Sequence, residues 1–451
     1  MSRSNWLAFA ALSLGMIVYG LAESYGPVSV ASNVVPSSLS WLGYSLPYIF
    51  GGVGALVAGV IADSLGRRKA FLLTSILIIA GLLFYIPIYF LDMSSGPLGT
   101  ALLIASMALV GMAAIGLESP VLTAIAESTD PTSRSKWLVL APNFGNLGVA
   151  LAFVPLLIYG TSASALQERF ALLLMYVAPV AAFIIAWLKF SETLPWKAAR
   201  ERVISTEGAW KAVDGGAAEP VVPTAGTGLR FATLLALGIS QDVAFVYITY
   251  GVTYAFFASS TFAGIGVTTL VPLIGGFVMT AVGILAAFMI TPNVGRRTFA
   301  TLSFGLQFTL WALIATLIYI SHAAFTAPLL AAFAIAFVSV ELTWAARALL
   351  EPELFPTNKR GLYVSVVRAA VWITAGAITG ALTLTSVGSN FAFVASVMSA
   401  VAALGVAGAV VWQRLGFETA NRSLVGLDLH HVAPVTKAGQ ADPPGGRKEN
   451  H

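Results

Sequence analysis

The sequence predicts an all-α membrane protein whose twelve transmembrane helices form two pseudo-symmetric six-helix bundles. Three observations predict this fold class: an apolar composition, twelve long apolar runs, and charged loop segments that recur in both halves of the chain. Hydrophobic residues make up 58% of the 451 residues, and charged residues make up only 10%. Soluble domains contain about 45–50% apolar and about 25% charged residues. Lipid, unlike water, accommodates the larger apolar surface of this chain.

The charge and the missing cysteine exclude several classes of function. The formal net charge is only +4 and the basic residues do not form one patch, so we expect no nucleic-acid partner. The chain has no cysteine, which excludes disulfides, thiolate chemistry and Cys-ligated metals. It also has no P-loop, no histidine cluster and no nucleophile arrangement. We therefore expect no enzymatic activity, no cofactor and no metal site.

Twelve apolar runs are long enough to cross a bilayer as helices, which takes about 20 residues each. They lie near residues 6–27, 41–62, 70–91, 99–124, 136–160, 170–190, 231–258, 267–290, 299–320, 326–350, 362–386 and 391–413. The polar stretches between them are short except for one near the middle of the chain.

This long polar stretch, residues 191–230, is predicted to be a linker between the two bundles. An N-terminal bundle then covers residues 1–190, and a C-terminal bundle covers residues 231–414. The composition also favours a short surface helix near Trp196–Ile204. The polar residues 415–451 after the last span are expected to form a mobile tail.

Lys and Arg residues predict the orientation of the chain, because they concentrate in cytoplasmic loops. Loops after even-numbered spans carry GRRK (66–69), SRSK (133–136), the basic residues of the linker, GRR (295–297) and NKR (358–360). Loops after odd-numbered spans carry only Arg169. We therefore expect both termini and the linker to be cytoplasmic. No organelle-targeting signal is visible, so the plasma membrane is the expected location.

The charged loops also reveal an internal repeat. The segments are GVIADSLGRRK (59–69) after span two, TPNVGRRT (291–298) after span eight, AESTDPTSR (126–134) after span four and ELFPTNKRG (353–361) after span ten. Gly66 and Gly295, which precede the paired arginines, are 229 positions apart, and Glu127 and Glu353 are 226 positions apart. Two landmarks with nearly one offset indicate that six spans are duplicated as a parallel repeat.

These segments resemble loop signatures of the major facilitator superfamily. GVIADSLGRRK is similar to its loop signature G-x-x-x-D-x-x-G-R-R/K. The segments after spans four and ten are similar to the E-x(6)-R motifs of the branch that contains sugar porters and metabolite or phosphate proton symporters. The second loop departs from the signature because Pro292 stands where the first has Asp63. The resemblance covers residues 6–414 and implies a transporter in which two bundles rock about a midplane site.

The resemblance implies that the charged loops form a cytoplasmic gate. Its predicted members are Asp63, Gly66, Arg67, Arg68, Glu127, Arg134, Arg296, Arg297, Glu353 and Arg360. We expect each glutamate to pair with one of the two neighbouring loop arginines. Asp63 is expected near the N-terminus of span eleven, where the helix dipole favours a negative charge. Half-exposed pairs contribute about 1 kcal/mol or less each, which suits a reversible latch. Alternatively, these charges only fix the topology.

Four acidic residues fall inside predicted spans, where an ionisable group is costly and indicates a functional site. Asp242 and Glu341 are predicted near the midplane, Glu118 on span four, and Glu23 toward the outer end of span one. A carboxyl group in a partly dry cavity binds a proton more readily than one in water. We therefore predict proton coupling by these acids, with Asp242 and Glu118 first. The alternative is that they only join helices, for instance through Arg368.

Polar and aromatic residues near these acids are predicted to bind the solute. They are Gln241, Arg368, Tyr247, Tyr250, Trp344, Asn143 and Asn146. GLESPVLTAIAE (116–127) and QDVAFVYITYG (241–251) resemble spans four and seven of phosphate and organic-acid proton symporters. Arg368 suits a carboxylate or phosphate group, whereas Arg347 is expected to pair with Glu351 one turn away.

Together these features predict a secondary transporter that couples protons to the symport of a small polar metabolite. We expect a monomer in the lipid bilayer whose partners are the solute and protons. An organic anion is the first expected solute class, followed by a sugar or phosphate. The pair Gln241–Asp242 stands where sugar porters usually have two glutamines. A proton-coupled exporter of drugs or organic cations and a non-transporting membrane sensor on the same fold stay open as alternatives.

Overall fold

The computed structural model describes residues 3–90, 96–160, 219–321 and 324–429, together with scattered positions between 169 and 197. Within this part, ten helices are long and apolar enough to cross a membrane, and Phe9–Glu23 forms a shorter apolar helix. The predicted sixth span, 170–190, lies largely outside the described residues. So do residues 198–204 of the predicted surface helix and the tail beyond residue 429.

The described N-terminal half contains seven α-helices and one 3₁₀-helix. They are α1 (Arg3–Glu23), α2 (Tyr25–Ala31), the 3₁₀-helix Ser37–Leu39, α3 (Ser40–Gly43), α4 (Leu46–Leu65), α5 (Arg67–Phe90), α6 (Gly96–Ser128) and α7 (Arg134–Tyr159). The long helices correspond to predicted spans one to five. Helix α6 extends beyond the predicted 99–124 at both ends.

The C-terminal half repeats this pattern and adds a short hairpin. Its helices are α8 (Thr227–Val246), α9 (Val252–Phe257), α10 (Val267–Leu285), α11 (Arg296–Ile320), α12 (Ala327–Glu353), the 3₁₀-helix Thr357–Lys359, α13 (Arg360–Thr383), α14 (Thr385–Gly388), α15 (Phe391–Leu415) and α16 (Val425–Leu429). Two strands, β1 (Thr261–Phe262) and β2 (Ile265–Gly266), pair antiparallel between α9 and α10.

The first span of each half is interrupted. In the N-terminal half, α1 and α2 meet at Ser24, whose hydroxyl donates to the carbonyl of Gly20 at 2.9 Å. In the C-terminal half, a π-helical turn, Tyr247–Gly251, separates α8 from α9. The Ser24 hydroxyl lies 3.0 Å from the Tyr250 hydroxyl. The two interruptions therefore meet at the centre of the bundle, and π-turns of this kind frequently mark functional sites.

Small residues let the two halves approach closely. A Cβ atom at Gly59 of α4 would collide with Ser365 of α13, and one at Gly276 of α10 would lie 2.5 Å from the backbone nitrogen of Ala150 of α7. Close approach through small residues is typical of transmembrane helix contacts. The halves therefore contact each other along two closely packed helix pairs, α4 with α13 and α7 with α10.

The expectation of a mobile tail is wrong for residues 416–429. Ser423 and Pro220 form a parallel β-bridge, and Ser423 donates its backbone N–H to the carbonyl of Glu219 at 2.9 Å. Leu424 and Leu427 are buried. The tail is packed because its apolar side chains and its backbone hydrogen bonds find partners on the end of the linker.

Helix packing at Gly20 of α1 generates a stability prediction. A Cβ atom at Gly20 would collide with the carbonyl of Gly145 in α7, so Gly20→Ala should separate these helices and lower stability by about 1–3 kcal/mol. The matched control is Gly305→Ala on α11, where no atom lies within 4 Å of the new methyl group. Helix propensity predicts a gain of up to about 1 kcal/mol there. Thermal unfolding in detergent checks both variants, and equal melting temperatures would contradict the close approach.

Candidate functional site

Five buried charged side chains form a continuous chain between four helices. The members of this central charge chain are Glu118 of α6, Asp242 of α8, Arg347 and Glu351 of α12, and Arg368 of α13. Arg347 contacts Asp242 at 2.5 Å through Nη1 and donates from Nε to Glu351 at 2.7 Å. Arg368 donates from Nε to Glu351 at 2.7 Å and pairs with Glu118. Acids and bases therefore alternate from Asp242 to Glu118.

The central charge chain contains three carboxyl groups and two guanidinium groups. If all five groups are ionised, one negative charge has no cation to balance it. A net charge away from water is costly, and a single proton removes this one. The central charge chain is therefore suited to hold one extra proton.

Glu118 is the member of the chain that belongs to the N-terminal half. Its pair with Arg368 joins the two halves, and Trp344 of α12 adds a second link because its Nε1–H donates to Glu118 at 3.0 Å. Both partners of the ion pair are fully buried. Any motion that separates the halves at this level must break this pair or neutralise it.

Helical spacing explains how α12 supplies so many members. Trp344, Arg347 and Glu351 recur at intervals of three and four residues, which places them on one face of the helix. The expected pair of Arg347 and Glu351 is present, and the structure adds Asp242 as a second partner of Arg347. Glu351 was not predicted as a site residue, because its contact with Arg368 depends on the packing of another helix.

A small central cavity lies beside this chain. Its volume is about 10 Å³, room for about one water molecule. The lining residues are Tyr19, Glu23, Gly145, Asn146, Gln241, Asp242, Phe245, Trp344 and Trp372. No basic side chain stands among these residues. The cavity is closed to any metabolite in this conformation, and its described lining is acidic, amide-bearing and aromatic.

Two carboxyl oxygens in the lining lack hydrogen-bond partners. They are Glu23 Oε1 and Asp242 Oδ2, which find no donor among the described residues. A buried polar atom without a partner is costly, so these two atoms are ready acceptors for hydroxyl groups or a cation. Gln241 also lines the cavity, and its side-chain oxygen accepts from Arg347 at 2.5 Å.

Glu23 does not lie toward the outer end of the first span as expected. It is only 2% exposed and lines the central cavity with Asp242. The helical path continues through α2 to Ala31 rather than ending near residue 27, so Glu23 lies deeper than a single span to residue 27 suggests.

Glu341 belongs to a separate polar cluster. Asn146 donates from Nδ2 to Glu341 at 2.6 Å and to Asn143 Oδ1 at 3.0 Å, while Asn143 donates to the Thr280 carbonyl at 2.8 Å. These residues come from α7, α10 and α12. Of the three predicted site residues here, only Asn146 lines the central cavity.

Besides Asn143, three predicted solute-binding residues do not line the cavity. Arg368 is held by two carboxylates. Tyr250 contacts Ser24 through its hydroxyl and stacks on Phe153 with ring centroids 6.0 Å apart. Tyr247 packs against Gly251. Tyr247 follows Asp242 by five positions and Tyr250 by eight, and α-helical spacing places neither directly above Asp242 on one face.

Several cavity and network residues occupy equivalent positions of the repeat. Glu118 and Trp344 are 226 positions apart and contact each other, as do Ser24 and Tyr250. In the cavity lining, Tyr19 corresponds to Phe245 and Asn146 to Trp372 at the same offset. The cavity therefore lies on the pseudo-two-fold axis that relates the halves.

The charged loops form a second network on one face of the bundle, called here the gate. Arg67 donates from Nη2 to Glu127 at 2.6 Å. Arg296 holds Glu353 with two bonds, from Nε at 3.0 Å and from Nη2 at 3.2 Å. The expectation of half-exposed pairs is wrong, because all four side chains are at most 1% exposed. Long adjoining helices bury them, so breaking one pair costs about 3–5 kcal/mol rather than a fraction of 1 kcal/mol.

The second arginine of each loop has a different role from the first. Arg68 donates from Nη2 to the Leu188 carbonyl at 3.4 Å, and Arg297 donates to the Gly416 carbonyl at 3.0 Å. The first arginine of each helix thus binds the glutamate, while the second binds a carbonyl at or just after the end of the last span of its own half.

Asp63 joins the two halves within the gate. Its carboxylate accepts the backbone N–H groups of Gly361 at 3.2 Å and of Leu362 at 2.7 Å, at the start of α13. Negative charge is favourable at this end of a helix. A Cβ atom at Gly361 would collide with Asp63, so glycine is required there. Pro292 occupies the corresponding place in the second half and cannot supply such a carboxylate.

A third pair of repeated residues completes the gate and was missed in the sequence. Thr193 donates to Glu127 at 2.8 Å, and its counterpart Thr419 donates to Glu353 at 2.6 Å. The preceding residues, Glu192 and Glu418, accept backbone N–H groups at the starts of α5 and α11. The signal was available, because SET (191–193) and FET (417–419) recur at the offset of 226.

Gly66 is required beside Glu192, and Gly295 lies close to Glu418. Gly66 has φ +104°, in a region that side chains rarely adopt, and a Cβ atom there would collide with Glu192. A Cβ atom at Gly295 would lie 2.7 Å from a carboxylate oxygen of Glu418.

The remaining predicted gate residues extend contacts between the halves. Arg134 of the N-terminal half donates to the Arg422 carbonyl of the tail at 3.1 Å. Arg360 of the C-terminal half donates to the Phe355 carbonyl at 3.2 Å and lies 3.8 Å from Glu127. Asp428 of the tail accepts the backbone N–H of Thr357 at 2.7 Å. The gate is therefore closed, and the tail is part of its closure.

Comparison with known proteins places this geometry among transporters. A family model described as the Major Facilitator Superfamily matches residues 4–380. The facilitated trehalose transporter of Drosophila pseudoobscura pseudoobscura is 27% identical over 207 residues, 44% of this chain and 22% of that transporter. The match thus spans about a fifth of that relative's length.

Solved structures agree on the fold. The proton:xylose symporter XylE of E. coli, bound to 6-bromo-6-deoxy-D-glucose, has a TM-score of 0.73 at 16% identity and covers 94% of this chain and 98% of its own. The human organic anion transporter has a TM-score of 0.59 at 16% identity, with 91% and 100% coverage. These likenesses confirm the predicted twelve-helix fold.

The buried gate pairs generate a prediction about conformation. Glu353→Gln and Glu127→Gln each remove an ion-pair charge that positions the loops whose Asp63 and Arg360 contacts join the halves, so the gate should open more often. A loss of about 1.4 kcal/mol already shifts a population tenfold. Since the chain has no cysteine, Ser365→Cys at the buried contact of α4 and α13 supplies a unique label. We expect its labelling rate to rise at least tenfold in either glutamine variant.

The control for this measurement is Glu219→Gln, which makes the same change at an exposed position of the linker. Its labelling rate should equal that of the parent. Equal rates in all three variants would mean that the charged loops fix only the topology.

Proposed function

The chain belongs to the major facilitator superfamily, and from this premise we propose that it couples protons to the transport of a neutral, polyhydroxylated solute such as a sugar. It is a multi-pass membrane transporter and not an enzyme. In this proposal the gate faces the cytoplasm of a cell whose plasma membrane holds the transporter as a monomer. The solute binds in the central cavity when the halves move apart.

One observation carries the proposal: Asp242 belongs both to the cavity lining and to the central charge chain. A solute that hydrogen-bonds to Asp242 changes how strongly that carboxyl group holds Arg347. The chain connects this pair to the contact between Glu118 and Arg368. Solute binding, proton binding and the contact between the halves thus involve one connected set of side chains.

The chemistry of the lining supports a neutral solute with hydroxyl groups. Glu23, Asp242, Gln241 and Asn146 supply donors and acceptors of the kind that bind hydroxyls. Trp344 and Trp372 offer flat apolar faces that can pack against the C–H groups of a sugar ring. The similarity to a trehalose transporter and the fold shared with a xylose symporter favour the same class of solute.

The organic anion that the sequence favours first has less support. That expectation depended on Arg368, and carboxylates of the chain already hold both Arg368 and Arg347. An anion in the cavity would face Glu23 and Asp242 without a basic residue in the described lining. Repulsion between like charges in a partly dry site disfavours this arrangement.

An organic cation is the second candidate. The same two acids attract a positive charge, and the aromatic faces of Tyr19, Trp344 and Trp372 suit cation–π contacts. In that case the transporter is an exporter that exchanges the cation for protons. The direction of proton flux separates the two proposals, because symport and exchange move protons in opposite directions relative to the solute.

Reconstituted protein tests the proposed function. Purified protein in liposomes receives trehalose, xylose, organic acids, phosphate or a cationic dye, and an internal indicator records pH. We expect a neutral sugar to acidify the interior with wild-type protein. We expect Asp242→Asn to abolish this acidification, because the variant loses the carboxyl group shared by cavity and chain.

Glu219→Gln serves as the control and should behave as wild type. Alkalinisation driven by an inward gradient of the dye would establish the exporter instead. Absence of any solute-dependent proton movement would refute both proposals.

A further inference from the structure

We propose that Glu351 is a positioning residue that lets the coupled proton alternate between Asp242 and Glu118 and thereby controls the contact between the halves. The proposal deepens the proposed function and rests on it. Glu351 is fully buried and is the one member of the central charge chain that contacts both arginines. It touches neither the solute cavity nor, through its carboxylate, the N-terminal half in the described contacts.

The first step is that Glu351 divides the central charge chain into two linked parts, one around each arginine. Arg347 is shared between Asp242 and Glu351, and Arg368 is shared between Glu351 and Glu118. Within the ion pairs of the central charge chain, a change at one end reaches the other through Glu351. The charged groups that contact Glu351 in the described residues are these two guanidinium groups, from its own helix α12 and from α13, while Glu23 of α1 shares the cavity with Asp242.

The second step concerns a proton on Asp242. Neutral Asp242 attracts Arg347 less strongly, which leaves Glu351 as the one charged partner of Arg347 in the central charge chain. Because Glu351 is held more strongly by Arg347, it binds Arg368 less strongly. Arg368 must then rely on Glu118, across the two halves. A proton at the solute cavity therefore strengthens the contact that keeps the halves together.

The third step concerns a proton on Glu118. Neutral Glu118 releases Arg368, whose charge is still balanced within the C-terminal half by Glu351. The remaining groups are two carboxylates and two guanidinium groups, all on α8, α12 and α13. No ion pair of the chain then spans the halves. Proton transfer from Asp242 to Glu118 conserves charge and converts a joined arrangement into a separable one.

The position of Glu351 links this event to the gate. Glu351 lies on the last turns of α12, two residues before Glu353, which Arg296 holds in the gate. A shift of Glu351 toward Arg347 or toward Arg368 moves the end of the helix that carries Glu353. The central charge chain and the gate therefore act on one rigid element.

Neutralising Glu351 should separate solute binding from proton uptake. Glu351→Gln leaves two carboxylates and two guanidinium groups, arranged as the separate pairs Asp242–Arg347 and Glu118–Arg368. The charges balance without an extra proton, and the two ends no longer communicate. We expect the variant to bind a sugar within about threefold of wild-type affinity. We also expect its affinity to become independent of pH and its sugar-driven proton uptake to disappear.

The experiment measures two quantities in wild type and variant: the affinity for the sugar identified in the liposome panel between pH 5 and 8, and the protons taken up per sugar. Glu351→Asp, which restores the charge on a shorter side chain, should recover part of the pH dependence. A merely structural role would lower affinity or yield without changing the proton-to-sugar ratio. Wild-type coupling in Glu351→Gln overturns the inference.

A second variant keeps the net charge of the central charge chain at its wild-type value. Arg347→Gln/Glu351→Gln removes one charge of each sign and also separates Asp242 from Arg368, so it too should bind sugar without driven accumulation. Full coupling in this double variant overturns the inference. If the wild-type protein moves no protons with any solute, the proposed function is wrong. If the wild-type protein couples protons and the variants still do so, the proposed function stands and only the inference about Glu351 is wrong.

Discussion

The need to pair buried carboxylates with buried guanidinium groups governs the centre and the gate of this structure. Lipid and apolar side chains offer no compensating charge, so the charged members of these two networks find partners on neighbouring helices. In the centre this condition joins α6, α8, α12 and α13, and in the gate it joins α5 to α6 and α11 to α12. The helices are positioned by apolar packing and by small-residue contacts, but their relative registers must satisfy these pairs.

The two networks satisfy this condition differently, and the difference matters for transport. Each gate glutamate is bound by an arginine and a threonine of its own half. The contacts that join the halves there are an aspartate at a helix start and weaker arginine contacts. In the centre, by contrast, an ion pair itself joins the halves. Opening the bundle can thus leave the gate pairs intact, whereas it must disturb the central pair.

The sequence predicts the fold and much of the gate because the repeat displays most gate residues twice, Asp63 excepted. Glu127 and Glu353 stand at one offset beside paired arginines, so their partners could be limited to two choices each. The central charge chain was harder to predict, because its members do not recur in the repeat. Met16 occupies the position equivalent to Asp242, and Trp344 occupies the position equivalent to Glu118. Glu351 looked like a local partner of Arg347, since the approach of α13 is a property of packing. The place of Glu23 in the cavity lining depended on a helix break that apolar length does not reveal.

The contact of Glu118 with Trp344 has a consequence for the ancestry of the chain. Equivalent positions that touch lie on the axis of the repeat, so an ancestor with two identical halves would have placed the same side chain against itself. Two glutamates there would repel each other in a dry interior, and two indoles would leave no acid to bind Arg368. The position can join an indole donor to a carboxylate acceptor only after the copies differ. The two halves therefore had to diverge at the residues on the pseudo-two-fold axis as well. The asymmetric chemistry of the site arose at the positions where the two copies of the repeat contact each other.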